Sequence, residues 1–177
     1  MNRLAMLVLV LMFAVSCDDS PTSPTDPNVA TFTAILLPSN EVPPVTNADA
    51  TASGTMQLKM TVTRDAANTI TGATYDFTIN LTGFPANTTL TGSHIHNGPA
   101  GANFPVVVNV PLTPTTDTVL ATGQTTITKT GLSSSSATVS AAAVAQGIFN
   151  NPGANYFNVH TTVNGGGAIR GQLVRSN

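Results

Sequence analysis

Residues 54–84, GTMQLKMTVTRDAANTITGATYDFTINLTGF, alternate between apolar and polar side chains along two runs separated by the short turn DAAN. In the first run Met56, Leu58, Met60 and Val62 fall on one face, and Thr55, Gln57, Lys59, Thr61 and Thr63 fall on the other. In the second, Tyr75, Phe77, Ile79 and Leu81 alternate with Thr74, Asp76, Thr78 and Asn80. A period of two is the signature of a strand with one wet and one packed face. Two such strands joined by a short polar turn predict an antiparallel hairpin.

Outward from this hairpin the same grammar repeats. Upstream, ATFTAILL (30–37) reads as a half-buried strand that ends at PSNEVPP, where Pro43 and Pro44 forbid helix. Downstream, NTTLTGSHIHN (87–97) is a strand broken by Gly98, Pro99 and Gly101, and FPVVVNVP (104–111) resumes with Val106, Val108 and Val110 inward. TVLATGQTTITK (118–129), NYFNVHTTV (155–163) and AIRGQLVR (168–175) each read as one further strand. Only TVSAAAVAQGIF (138–149) suggests a helix, with Ser136, Thr138 and Ser140 as candidate N-caps, an apolar face of Ala141, Val144 and Ile148, and a stop at Asn150-Asn151-Pro152. The expected fold class is therefore all-β, an antiparallel β-sandwich of about eight strands with one short helix, immunoglobulin-like or superoxide-dismutase-like in kind.

The first sixteen residues place a short positive start, Asn2-Arg3, before the apolar run from Leu4 to Val15, too short to span a bilayer and suited to a signal peptide. Ala14-Val15-Ser16-Cys17 then matches the small-residue approach to a lipidated cysteine, and Cys17 is the only cysteine in the chain. The domain plan that follows is a lipoprotein signal peptide at 1–16, a flexible Asp-, Ser-, Thr- and Pro-rich tether at 17–29, and a sandwich domain at 30–177. Such a protein is exported and anchored outside the cytoplasm through its lipid, making the membrane its first partner. Charged residues are only 8 % of the chain. Without Arg3 five basic residues face eight acidic ones, and no basic patch exists to meet nucleic acid.

Candidate chemistry concentrates in the histidines. His94 and His96 project from one face of their strand while Ile95 faces the other way, and His160 lies on the polar side of its own strand with Tyr156, Asn158 and Thr162. If the two strands are neighbours, all three imidazoles of the protein converge, a donor set suited to copper or zinc. Two other readings stand beside a metal site: histidines that only brace the two strands through hydrogen bonds, and histidines that meet a partner directly. Their position opposite the apolar residues predicts that the rings lie outside the core. Glu41, the only glutamate, and Arg170 are candidate binding residues. For Glu41 a solvated turn is the more ordinary expectation, and Arg170 has Asp76, Glu41 or no residue as its partner. No nucleophile and base stand together, since Ser93 faces away from His94 on the strand. A non-enzymatic binding module is thus the leading expectation, with a copper- or zinc-dependent enzyme and a purely structural envelope protein as alternatives.

Three separated stretches, SNEVPP (39–44), HIHNGPAGANFPVVV (94–108) and NVHTTVNGGGAIRGQL (158–173), together resemble the CHRD family, the domain first described in chordin. The resemblance spans about residues 31–175 and implies a secreted β domain more than any particular biochemistry. Two positions depart from the family pattern: Phe104 stands where relatives typically have Gly, and Ala168 where they usually carry Glu.

Overall fold

The computed structural model describes residues 26–114 and 116–177. Cys17, the signal segment and most of the expected tether lie outside these residues. Within them two antiparallel sheets face each other. The first contains β1 (Val29–Leu36), β2 (Ser53–Arg64), β3 (Ile70–Thr82), β7 (Thr125–Leu132) and β10 (Val174–Arg175), in the order β10-β1-β2-β3-β7. The second runs β5-β4-β8-β9 and is built from β4 (Thr88–Asn97), β5 (Val106–Asn109), β8 (Asn155–Thr161) and β9 (Ile169–Gln172), with β6 (Val119–Leu120) added beside β4. Among the described residues, no helix is long and apolar enough to cross a membrane.

The hairpin of residues 54–84 forms as its pattern predicts. Met56 pairs with Ile79, Leu58 with Phe77 and Met60 with Tyr75, and all six side chains are buried between the sheets. Its turn is closed by Asp65, whose Oδ1 accepts from the amides of Ala67 and Thr69, both at 2.9 Å. Asn68 takes the left-handed conformation the turn needs (φ 64°). From the opposite sheet Ile95, Phe157, Val159 and Ile169 complete the core.

The chain crosses between sheets in two places where the sequence reads as one strand, which gives ten strands among the described residues instead of about eight. TVLATGQTTITK divides at Gly123 (φ 74°), so that β6 joins β4 and β7 joins β3. A Cβ at Gly123 would collide with the main-chain oxygen of Phe84, which explains why glycine holds this crossing. AIRGQLVR divides in the same way, β9 pairing with β8 and β10 with β1. Around Leu173 the alternation runs on through the crossing, with Ile169, Gly171 and Leu173 all buried, so period two cannot register the change of sheet there; at Gly123 it shifts by one residue between buried Leu120 and buried Ile127.

The helix α1 (Ala141–Asn150) begins later than expected, with Ser140 as its N-cap accepting from the Ala143 amide at 3.2 Å. Ala145, not Ala141, joins Val144, Ile148 and Phe149 in the core, and the helix packs against β3.

Candidate metal centre

The strands β4 and β8 are direct antiparallel neighbours, with His94 opposite Asn158, His96 opposite Tyr156 and Gly92 opposite His160. Ile95, Phe157 and Val159 point into the core, so period two sends His94, His96, Tyr156, Asn158 and His160 to the outer face of the second sheet. The three rings meet there. Their centroids are 5.0 Å apart for His94 and His160, 5.7 Å for His94 and His96, and 6.4 Å for His96 and His160. One ring nitrogen from each histidine lies within 4.8 Å of the other two, and among the described residues no carboxylate or thiolate belongs to this group. Gly92 makes room for the cluster, since a Cβ there would stand 2.9 Å from Cε1 of His94.

A roof covers part of the site. The segment 98–105 folds back over the sheet, and Nδ1 of His96 donates to the main-chain oxygen of Phe104 at 2.6 Å. The Phe104 amide in turn donates to the Tyr156 hydroxyl at 3.2 Å. His96 stacks on Tyr156 with centroids 4.7 Å apart and the rings 5° from parallel. These contacts leave His96 only 8 % exposed, so the expectation of three surface rings is corrected for this one. His96 is outside the sandwich core as expected, but a loop rather than solvent covers it. The Phe104 side chain packs over Gly98, where a Cβ would run into its ring. His160 is fixed from the other side, its Nδ1 donating to the Gly165 oxygen at 3.0 Å. The loop carrying Gly165 is held by buried Asp49, whose Oδ2 accepts from Thr161 Oγ1 at 2.7 Å and from Asn164 Nδ2 at 2.6 Å.

Burial disfavours the charged form of these imidazoles. It pushes His94 down to about 4, helped by the neighbouring His160 and His96 and opposed by Asn109. His96 is lowered as well, by burial first and then by His160 and Arg170, against the raising effect of the Phe104 and Asn158 oxygens, which favour the charged ring. Both rings are neutral at pH 7 and keep a lone pair. Nδ1 of His94 is buried with no hydrogen-bond partner, an arrangement that costs free energy unless something binds there.

Glu41 and Arg170 lie side by side behind Tyr156, and the expectation of a solvated turn glutamate is overturned. Glu41 is 3 % exposed and Arg170 2 %. Oε2 of Glu41 accepts from Arg170 Nε at 2.7 Å and lies 2.6 Å from Nη2. Two more guanidinium hydrogens go to the roof: Nη1 donates to the Ala102 oxygen at 2.9 Å and Nη2 to Asn103 Oδ1 at 2.6 Å. The guanidinium also lies 4.2 Å over the Tyr156 ring. A two-residue bridge explains why a proline-rich turn is drawn inside, because Leu37 and Arg170 exchange main-chain hydrogen bonds at 3.0 and 3.2 Å, carrying the end of β1 onto β9. Ala168 is wholly buried, and the partner of Arg170 comes from Glu41. Asp76 instead accepts from the Gly131 amide at 2.8 Å.

Sequence reasoning singled out the three rings and Arg170 but missed Asn158, Tyr156 and Asp49 as parts of the site. For the first two the signal was present, since both share the polar face of the strand with His160. Ser93 is buried and donates to the Val110 oxygen at 3.0 Å, away from the histidines.

A family model described as the CHRD domain matches residues 32–173. Neither the curated proteins nor the solved structures searched give a match.

Proposed function

This chain belongs to the CHRD domain family, and from that premise we propose that it is an exported, lipid-anchored binding module that holds one copper or zinc ion on His94, His96 and His160. The observation that carries the metal reading is the convergence of three ring nitrogens within 4.8 Å on one sheet face. Two further features support it. Nδ1 of His96 and of His160 each donate to a main-chain carbonyl, which leaves Nε2 as the lone-pair atom, the usual way a protein orients an imidazole toward a metal. The low affinity of His94 for protons keeps it ready to bind cations at neutral pH.

Metal analysis of the purified full chain, grown with and without added copper and zinc, tests this directly. One ion per chain is expected, and alanine at any of the three histidines should weaken binding at least about 100-fold. Failure of the wild-type chain to take up either metal at micromolar concentration sinks the reading. Protons compete for the same lone pairs, so affinity should fall as the pH drops, and burial of His94 keeps that ring out of the competition until well below the usual imidazole range near 6.5. In the metal-free chain His96→Ala should cost about 1–3 kcal/mol, because it removes a partly buried hydrogen bond and a stacked ring.

The anchor rests on the apolar run that ends at Cys17. Intact mass of the membrane-extracted protein should show a diacylglyceryl group on a chain beginning at Cys17, and a mature form free in the medium with another N-terminus would refute it. Among the described residues no nucleophile stands beside the histidines, which favours binding over catalysis. Glu41 and Arg170 serve this module by bracing the roof over the site.

A further inference from the structure

We infer that Oδ1 of Asn158 is the fourth ligand of the metal, so that the centre is a closed site of three imidazoles and one amide oxygen; this rests on the metal reading proposed above. Asn158 lies directly opposite His94 across β4 and β8, two residues from His160 on the same face, and is almost wholly buried. Its Oδ1 stands 3.0 Å from Nε2 of His96 and 3.1 Å from Nε2 of His160. Main-chain carbonyls can only accept, so the Nδ1 atoms facing Phe104 and Gly165 carry the ring protons. Both Nε2 atoms then present lone pairs to an oxygen that has no hydrogen to give. Three electron-rich atoms converging on one point without a donor are mutually repelling, and a cation among them turns each repulsion into a bond.

The distances fit that cation. Ligands held about 2.1 Å from a tetrahedral zinc stand about 3.4 Å apart, and the two contacts of Asn158 need to lengthen only slightly to reach this edge. Nδ1 of His94, buried and unpartnered, supplies the remaining corner. An amide oxygen is a hard donor, and in company with imidazoles it favours a divalent ion of the zinc type over copper(I), which prefers sulfur. Four protein ligands leave no corner for substrate water, the arrangement of a structural or storage site.

The test uses the metal-free full chain, cobalt(II) as optical probe and zinc as competitor, with Asn158→Ala and Asn158→Asp beside the wild type. Wild-type cobalt bands should be those of a four-coordinate ion and should not move when azide is added. Asn158→Ala should bind about 100-fold more weakly, and its bands should shift with azide because a corner is now open. Asn158→Asp puts an anionic oxygen in the same place and should bind at least about tenfold more tightly than wild type. Nothing in a merely bracing role for the amide produces that gain or the azide response, so the pair of readouts separates a ligand from a positioning residue. Should Asn158→Ala fail to fold, the near-isosteric Asn158→Asp decides alone. Unchanged affinity and spectra in the variants, or azide-sensitive bands in the wild type, overturn the fourth ligand while leaving the three-histidine site in place. A wild-type chain that binds neither cobalt nor zinc overturns the fourth ligand, and one that takes up no copper either overturns the three-histidine reading as well.

Discussion

Replacing Phe77 with alanine should lower the unfolding free energy by about 3–5 kcal/mol, the range for deleting a buried aromatic ring. Phe77 is 1 % exposed in the middle of β3, the strand that lies between β2 and β7. Its ring approaches that of Phe157 in the opposite sheet, with centroids 6.0 Å apart and planes inclined by 32°. The cavity left by truncation would open between the two sheets, where rigid ladders on both sides prevent collapse. The next residue supplies the control: Thr78 sits on the outer face of the same strand, between Gln57 of β2 and Thr128 of β7. Thr78→Ala should change stability by no more than about 0.5 kcal/mol. Denaturant titrations of both variants, read as shifts in midpoint at constant slope, measure the difference. Equal losses would mean that the two faces of β3 have been assigned one residue out of register.

The Phe77 and Thr78 contrast was legible in the sequence because burial in a strand repeats every two residues, and the alternation on either side of Asp65 leaves one solution. The meeting of the histidines was legible for the same reason, given only that β4 and β8 are neighbours. Other features depend on contacts that no local period carries. The crossing around Leu173 keeps the alternation while changing sheets, and the one at Gly123 shifts it by one residue between Leu120 and Ile127. His96 is buried by the segment 98–105, which is held there by Arg170 from far along the chain. Glu41 resembles any loop carboxylate until the bridge between Leu37 and Arg170 brings it inside. Asn158 stood in plain view beside His160, but an asparagine on a strand has no metal-ligand signature until the distances to two lone-pair nitrogens are known.

Arg170→Met should destabilise the domain by about 3–5 kcal/mol, as removal of one member of a buried ion pair does. The variant leaves the Glu41 carboxylate beneath the roof with no counter-ion, and Oε1 of that carboxylate already lacks a partner. It also removes the hydrogen bonds to Ala102 and Asn103 and the cation over Tyr156. Combining Arg170→Met with Glu41→Leu should recover much of the loss, because the desolvated charge is gone; a double-mutant cycle gives the coupling. The pH dependence follows from the direction of the Glu41 shift. Burial raises its carboxyl above the usual 4.5, against the lowering effect of Arg170, so the folded state takes up a proton more readily than the unfolded chain. Stability from that difference is fully present below the unfolded pKa and is lost as pH rises through the folded one. Without Arg170 the upward shift grows, and the penalty of Arg170→Met should therefore be largest at pH 7 and shrink as pH falls toward 4.5. Metal affinity supplies a second readout in the fraction that stays folded, since a roof no longer tied down by the guanidinium releases the Phe104 carbonyl from His96. Amide exchange across residues 98–105 should speed up in the same variant. A midpoint within about 0.5 kcal/mol of wild type at pH 7 would show that water, rather than Arg170, satisfies Glu41.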